Sequence, residues 1–238
     1  YEEITRLVRI FAAQGTRKIR FTGGEPLIRR ELPRLIGMVA EVPGIEDIAL
    51  TTNGVLLPQH ATALRSAGLR RVTVSLDALD ETLFQAINGR GISVQKVLRG
   101  IHAATDAGFK SIKINMVVQR GINESQIIPM TEYFMAQGHT LRFIEYMDVG
   151  NTNGWAMDRV IPAPEILRKL RRQFSLVEVP RDHHSDVARR FRMTDRPGEI
   201  GLITSVTQPF CGACSRACIS SKGELFTCLF AQHGTDLR

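Results

Sequence analysis

Apolar residues follow two alternating periods along this chain. Ile4, Leu7, Val8 and Phe11 fall at helical spacing. After Gly15 the period drops to two, with Ile19 and Phe21 on one face and Lys18, Arg20 and Thr22 on the other. The same succession of amphipathic helix, glycine and short apolar strand recurs at Gly44, Gly68, Gly108 and Gly138. Each glycine is placed to end its helix in the left-handed conformation. Regular alternation of helices and strands predicts a parallel α/β architecture.

The strands share a register. Seven residues beyond the five glycines stand Thr22, Thr51, Ser75, Asn115 and Glu145. Five residues beyond stand Arg20, Ala49, Thr73, Lys113 and Phe143, and nine beyond stand Gly24, Asn53, Asp77, Val117 and Met147. A period of two puts all of these on one face of their strands. Polar groups at the C-terminal ends of five parallel strands, on a common face, describe the mouth of a β/α barrel. A doubly wound sheet would concentrate them at one switch point. The expected fold is a partial parallel (TIM-like) β/α barrel.

Local signals fill in the rest. Asp80 is expected to cap a helix, Asn88-Gly89 to stop one, and Asn123 to Gln126 to open one as a capping box. Pro129 inside that last helix predicts a late start or a kink. After Met147 the pattern changes, and polar residues Asn151 to Asp158 read as a link. A helix from Ala163 to Phe174 presents Arg168, Lys169, Arg171 and Arg172 as a solvated face. Strands are predicted at 176–179, 188–193, 200–205, 216–220 and 225–230, the last two forming a hairpin at Lys222-Gly223. The chain thus divides into residues 1–150, a barrel, and residues 151–238, a smaller β-rich segment.

Composition adds two facts. The net charge of +7 suits an anionic partner without choosing between a phosphorylated metabolite and nucleic acid. No apolar run approaches membrane-spanning length, so no membrane partner is expected. All four cysteines, Cys211, Cys214, Cys218 and Cys228, lie within eighteen residues. That confinement argues for one metal site. Four thiolates could hold zinc, and three could hold an iron–sulfur cluster with one open iron; spacing alone leans to zinc. The remaining candidate is Lys18 to Pro26, a strand that breaks into Gly23-Gly24, where no Cβ blocks a ligand, followed by Glu25 and Pro26.

Thr22-Gly23-Gly24-Glu25-Pro26 resembles the GGEP loop of radical S-adenosylmethionine (SAM) enzymes. Other stretches are similar to the cyclases of molybdenum cofactor biosynthesis within that superfamily: 18–30, LTTNG at 50–54, VTVSLDALD at 72–80, IKINMVV at 112–118, RFIEYMDVGNTNGW at 142–155, GEIGLITSV at 198–206, FCGACSRA at 210–217 and GELFTCLF at 223–230. They run in family order over essentially the whole chain. The resemblance implies a partial barrel with a 4Fe–4S cluster that binds SAM, and a C-terminal segment with an auxiliary 4Fe–4S cluster on Cys211, Cys214 and Cys228. It assigns Gly24, Ser75 and Met147 to SAM, and Arg20, Thr51, Lys113 and Arg216 to GTP. The implied reaction removes the 3′ hydrogen of GTP with a 5′-deoxyadenosyl radical and joins C3′ to C8, guanine resting on the open iron. An electron donor and a cytoplasmic location are implied, and a homodimer is left open.

Three departures from the family pattern bear on this chain. The CxxxCxxC motif of the SAM cluster and the first barrel strand are expected upstream of Tyr1, which already lies inside a helix. The family's C-terminal glycine tail is likewise absent, and without ligands for the SAM cluster these 238 residues alone are expected to be inactive. Cys218 stands where the family usually has arginine. It shares a strand face with Arg216, and the expectation is a bystander thiol, because the hairpin aims it beyond the Cys211–Cys214 turn. Two other readings are weighed. One is a peptide-modifying radical SAM enzyme with an auxiliary cluster. The other is a zinc- or nucleic-acid-binding module, opposed by the lack of aromatic residues interleaved with basic ones.

Overall fold

The computed structural model describes residues 1–149, 154–180 and 186–237. Of the link expected at Asn151 to Asp158, residues 151–153 lie outside the described residues. The chain forms two compact units, Tyr1–Asn115 and Met116–Arg238, and the division falls inside a strand.

The first unit alternates as its periods dictate: α1 (Glu2–Ala13), β1 (Lys18–Phe21), α2 (Leu32–Ala40), β2 (Asp47–Thr52), α3 (Leu57–Ser66), β3 (Arg71–Ser75), α4 (Glu81–Asn88), α5 (Val94–Asp106) and the start of β4 (Lys113–Val118). β1, β2, β3 and β4 are neighbours in that order, and every pair is parallel. Leu35, Ile36, Leu50, Leu57, Leu64 and Ile101 are fully buried between helices and strands. Helix signals act where the sequence places them. The Asp80 carboxylate accepts from Leu83 N at 2.8 Å, and Gly89 closes α4 at φ +59°. The five helix-ending glycines all lie at positive φ, between 74° and 105°.

One glycine pair is a packing device. A Cβ on Gly100, in α5, would lie 1.9 Å from the Gly54 carbonyl oxygen, so the helix rests directly on the backbone of the loop after β2. That contact holds the LTTNG loop against α5.

The second unit continues with α6 (Ile127–Ala136), β5 (Thr140–Glu145), α7 (Ala163–Arg171), β6 (Leu176–Val179), β7 (Ala188–Met193) and β8 (Glu199–Ile203). β8 pairs parallel with β5, and β7 and β6 follow antiparallel. Three of the five late strands thus extend the sheet that holds β5. Local pattern reveals that a strand exists but not which edge it joins. Phe134, Phe143 and Phe191 fill the core of this unit. A separate three-stranded sheet follows, β9 (Cys218–Ile219), β10 (Glu224–Phe226) and β11 (Thr235–Asp236), in the order β11-β10-β9. The predicted hairpin is β9–β10, with Gly223 at φ +84° in its turn.

The start of α6 also differs from expectation. Asn123 does not cap the helix; its Oδ1 accepts from Gln119 N at 2.8 Å and its Nδ2 donates to Val117 O at 2.9 Å. A short 3-10 turn (Glu124–Gln126) precedes the helix, so Pro129 falls in the first turn, where no intrahelical N–H is needed. The late start is the one Pro129 predicts.

Candidate functional site

In the first unit, the site is built on β1, β2, β3 and the first residue of β4. Thr51, Thr73 and Lys113 form one level row across β2, β3 and β4. Arg20, level with Ala49 on β1, reaches up into this row. Its Nη1 donates to Thr51 Oγ1 at 2.8 Å and to Thr73 Oγ1 at 3.3 Å. One row below, Ala49 pairs with Arg71, whose guanidinium grips the Asp47 carboxylate with both ends. Asp47, Ala49 and Thr51 share a strand face, as do Arg71 and Thr73.

The register count needs one correction. It levels Ala49 with Thr73, whereas Thr51 is the true partner of Thr73, a two-residue stagger between β2 and β3. A stagger of two preserves the face, which is why the predicted face is right although the predicted row is not.

Arg20 is the electrostatically exposed member of this group. Burial pushes its guanidinium pKa below the ordinary value; Arg71 adds to the fall, and Asp47 partly offsets it. Asp47 is committed to Arg71, and among the described residues no carboxylate pairs with Arg20. A guanidinium has five donors and these two hydroxyls use one nitrogen. The face therefore presents an incompletely neutralised cation with Lys113 flanking the same threonine.

Above the row, the GGEP loop is pinned by its own carboxylate. Glu25 Oε1 accepts from Leu27 N at 3.0 Å and Thr52 Oγ1 at 2.7 Å, and Oε2 accepts from Asn53 N at 2.8 Å. Glu25 is extended (φ −119°, ψ 110°), as a residue before proline prefers, and Pro26 opens a short 3-10 turn. The clamp joins the loop after β1 to the loop after β2. Gly23 and Gly24 border open space: a Cβ on either would meet nothing within 4 Å. That opening fits a ligand lying against the glycine pair. Ser75 ends β3 exposed on the same face as Thr73.

In the second unit, Met147 lies half-buried two residues beyond β5. Glu145, which the register count places with the ligand-facing set, is instead buried at 1% exposure and fully engaged. Its Oε1 accepts from Ala163 N at 3.0 Å and Thr207 Oγ1 at 2.6 Å. Its Oε2 accepts from Val206 N at 2.9 Å and Thr207 N at 2.8 Å. One carboxylate thereby fixes the first turn of α7 and the loop that leads from β8 to Cys211.

The four cysteines are free and exposed. Cys211 opens a 3-10 turn and Cys214 follows it in extended conformation. The backbone amide and guanidinium of nearby Arg216 hold the Cys214 thiol pKa below its ordinary value. Its guanidinium lies 5.0 Å from the Phe210 ring centroid. Among the described residues, no three Cys, His or carboxylate side chains are gathered into a metal-binding group. The donor chemistry nevertheless fits a thiolate-ligated cluster: soft sulfur donors, one favoured as thiolate. A separate groove of about 440 Å³, lined by Pro164, Leu167, Arg168, Arg171, Arg172 and Arg189, contains none of the predicted site residues.

Comparisons with known proteins place this geometry. The Radical SAM superfamily profile matches residues 1–134, and the Molybdenum Cofactor Synthesis C profile matches residues 139–238. The GTP 3′,8-cyclase of Xanthomonas axonopodis pv. citri (strain 306) is 49% identical over all 238 residues, which span 71% of that protein. The chain belongs to the GTP 3′,8-cyclase family of radical SAM proteins. The cyclase of Acidothermus cellulolyticus is 50% identical over the whole chain and 66% of its own length. Among solved structures, Streptococcus suis SuiB superposes with a TM-score of 0.72 at 15% identity, covering 99% of this chain and 56% of that one. The anSMEcpe structure with bound AdoMet and the Cp18Cys peptide gives a TM-score of 0.53 at 17% identity, over 73% of this chain and 51% of that one. At such identities these two structures establish the radical SAM fold.

Of the residues singled out from this cyclase-family sequence, Arg20, Thr51 and Lys113 converge on Thr73 within one unit, with Ser75 a row above. Met147, Arg216 and the cysteines lie in the other unit. Sequence reasoning passed over the Asp47–Arg71 pair. Continuing the period-two count downward from Ala49 and Thr73 reaches both residues. The Glu25 and Glu145 clamps had no such signal, because their partners, Leu27 apart, lie 18 to 62 residues away.

Proposed function

We propose that the Arg20–Thr51–Thr73–Lys113 face holds the triphosphate of GTP, with Gly24, Ser75 and Met147 contacting SAM. The chain is that of a radical SAM cyclase acting in molybdenum cofactor synthesis. On this reading residues 1–150 form the partial barrel, and residues 151–238 carry an auxiliary 4Fe–4S cluster on Cys211, Cys214 and Cys228, with Arg216 beside it.

The observation that carries the proposal is Arg20, an arginine at the open end of this face, held by two neutral hydroxyls and with no carboxylate partner among the described residues. An accessible guanidinium with unused donors and no carboxylate beside it is a ready partner for an incoming anion. Charge-assisted bonds to phosphate oxygens supply that anion. Thr51 and Thr73 fix the guanidinium in place, and Lys113 adds a point charge on the same row. Glu25 holds the glycine pair open beside them. The SAM-bound cluster, when present, supplies the radical that removes the 3′ hydrogen of GTP. An external electron donor is part of the reading, and nucleic acid is not.

Calorimetric titration of the protein with GTP, GDP, GMP and guanosine tests the proposal. Affinity should fall stepwise as phosphates are removed, and a peptide should give no heat. Guanosine binding as tightly as GTP would overturn the assignment of this face to the triphosphate.

A further inference from the structure

The strand register of the first unit sets two arginines on either side of one small residue. Arg20 on β1 stands level with Ala49 on β2, and Ala49 in turn stands level with Arg71 on β3. Residues level across neighbouring strands share a face, so only a methyl group stands between the two arginines at this height. Asp47 lies two residues below Ala49 on the same face. It is therefore a diagonal neighbour of both arginines. The Cα atoms are roughly 8 Å apart in each case, for strands about 4.8 Å apart and a rise of about 3.3 Å per residue. An arginine side chain spans that distance, so the register alone lets either guanidinium take the carboxylate.

The carboxylate goes to Arg71. Arg71 Nε donates to Asp47 Oδ1 at 3.0 Å and Nη2 donates to Oδ2, the two-point grip that matches a guanidinium to a carboxylate. Arg20 turns the other way, up to Thr51 and Thr73. Arg71 and Asp47 are the two charges that act on Arg20, the first disfavouring its protonated form and the second favouring it, as neighbours on one face would. Lys18 stands level with Asp47 on β1 and is exposed, and among the described residues it makes no ion pair with that carboxylate.

We propose that Arg71 is a positioning residue for the triphosphate face: by holding Asp47 it keeps that carboxylate off Arg20, so that the Arg20 guanidinium stays turned toward the row of Thr51, Thr73 and Lys113 with donors unused. The inference rests on the reading that this face takes the triphosphate of GTP. Arg71 touches no substrate in it and acts through Asp47. Without Arg71, the Asp47 carboxylate keeps Arg20 as a diagonal partner. An Asp47–Arg20 pair would draw the guanidinium down one row and neutralise it, removing the cation that meets the phosphates.

Calorimetric titration with GTP and with guanosine, at low ionic strength, tests this in a set of variants. The parent chain and Arg20→Ala fix the scale: the parent should prefer GTP, and Arg20→Ala should lose most of that preference. Equal affinity of the parent for both ligands would refute the triphosphate reading, and the inference with it. Arg71→Met should lose about tenfold in GTP affinity, the scale of one charged hydrogen bond, with guanosine unaffected. Asp47→Asn leaves Arg71 as a second unneutralised cation and should bind GTP about twofold tighter or more. The double variant Asp47→Asn/Arg71→Met has no carboxylate to capture Arg20, and its GTP affinity should return to within about twofold of the parent's. A pair that serves structure alone gives another pattern, with both single variants weakened and the double no better. That pattern would overturn the inference and leave the triphosphate reading in place. So would parental GTP affinity in Arg71→Met, the result expected if Lys18 takes the freed carboxylate. If Arg71→Met does not fold, Asp47→Asn decides alone, and unchanged or weakened GTP binding in it would overturn the inference.

Discussion

Replacing Glu145 should unfasten the second unit at the base of its cysteine-bearing segment. The carboxylate receives four hydrogen bonds, three of them from backbone N–H groups. Ala163 N is buried, whereas Val206 N and Thr207 N are only partly so and can recover water when the acceptor is lost. Glu145→Ala thus leaves one donor fully stranded and two partly stranded. At about 1–3 kcal/mol for each stranded group, the first counted in full and the others discounted, the cost is roughly 3–5 kcal/mol. Glu145→Gln keeps one oxygen but turns an amide N–H toward another donor, a loss of about 1.5–3 kcal/mol. The single tryptophan is a local reporter, because Trp155 Nε1 donates to Tyr146 O, next to Glu145. Urea unfolding followed by Trp155 fluorescence should show Glu145→Gln with a midpoint lower by about 1 M, for a slope near 2–3 kcal/mol per molar. An unchanged midpoint in both variants would refute the argument that this carboxylate ties α7 to the loop before Cys211.

Arg20→Ala, in a polypeptide that joins these residues to a CxxxCxxC segment, should weaken GTP binding by about 1.5–3 kcal/mol, the scale of a charged hydrogen bond. Calorimetry should find SAM binding nearly unchanged, and equal losses for both ligands would point to damage of the fold instead. Gly100→Ala should destabilise the first unit by about 1–3 kcal/mol or more, because its methyl would meet the Gly54 carbonyl at 1.9 Å; a thermal midpoint within a degree of the parent would contradict that packing. Glu165, whose pKa the hydrogen-bonded Arg120 guanidinium lowers from 4.5, should contribute stability above that pH and lose it as the solution is acidified through the depressed value. The pair is exposed, so Glu165→Gln should cost under about 1 kcal/mol at neutral pH, and the cost should shrink steadily as the pH is lowered, measured by urea titration across the range.

The α/β repeat was legible because it rests on local physics. Gly15, Gly44, Gly68, Gly108 and Gly138 had to leave right-handed space to end their helices, and period two then carried the face of every strand. Thr51 and Lys113 were found that way, and so was Arg20. What local pattern does not encode is stagger and partnership. Nothing in the residues of β2 and β3 announces that Thr51, not Ala49, stands level with Thr73. Glu145 reads as a ligand-facing carboxylate until its partners at Ala163, Val206 and Thr207 are known. The strands at 176–203 were recognised individually, yet their union with β5 depends on edges that form only in three dimensions.

The central claim is that this chain's residues hold GTP for attack at C3′. The most direct test supplies GTP deuterated at C3′ to the protein joined to its SAM-cluster segment, with SAM and reductant, under anaerobic conditions. Mass spectrometry of the 5′-deoxyadenosine formed should find deuterium transferred from GTP, and Arg20→Ala should suppress that transfer at subsaturating GTP. Formation of 5′-deoxyadenosine without deuterium, at the same rate with and without GTP, would contradict the account.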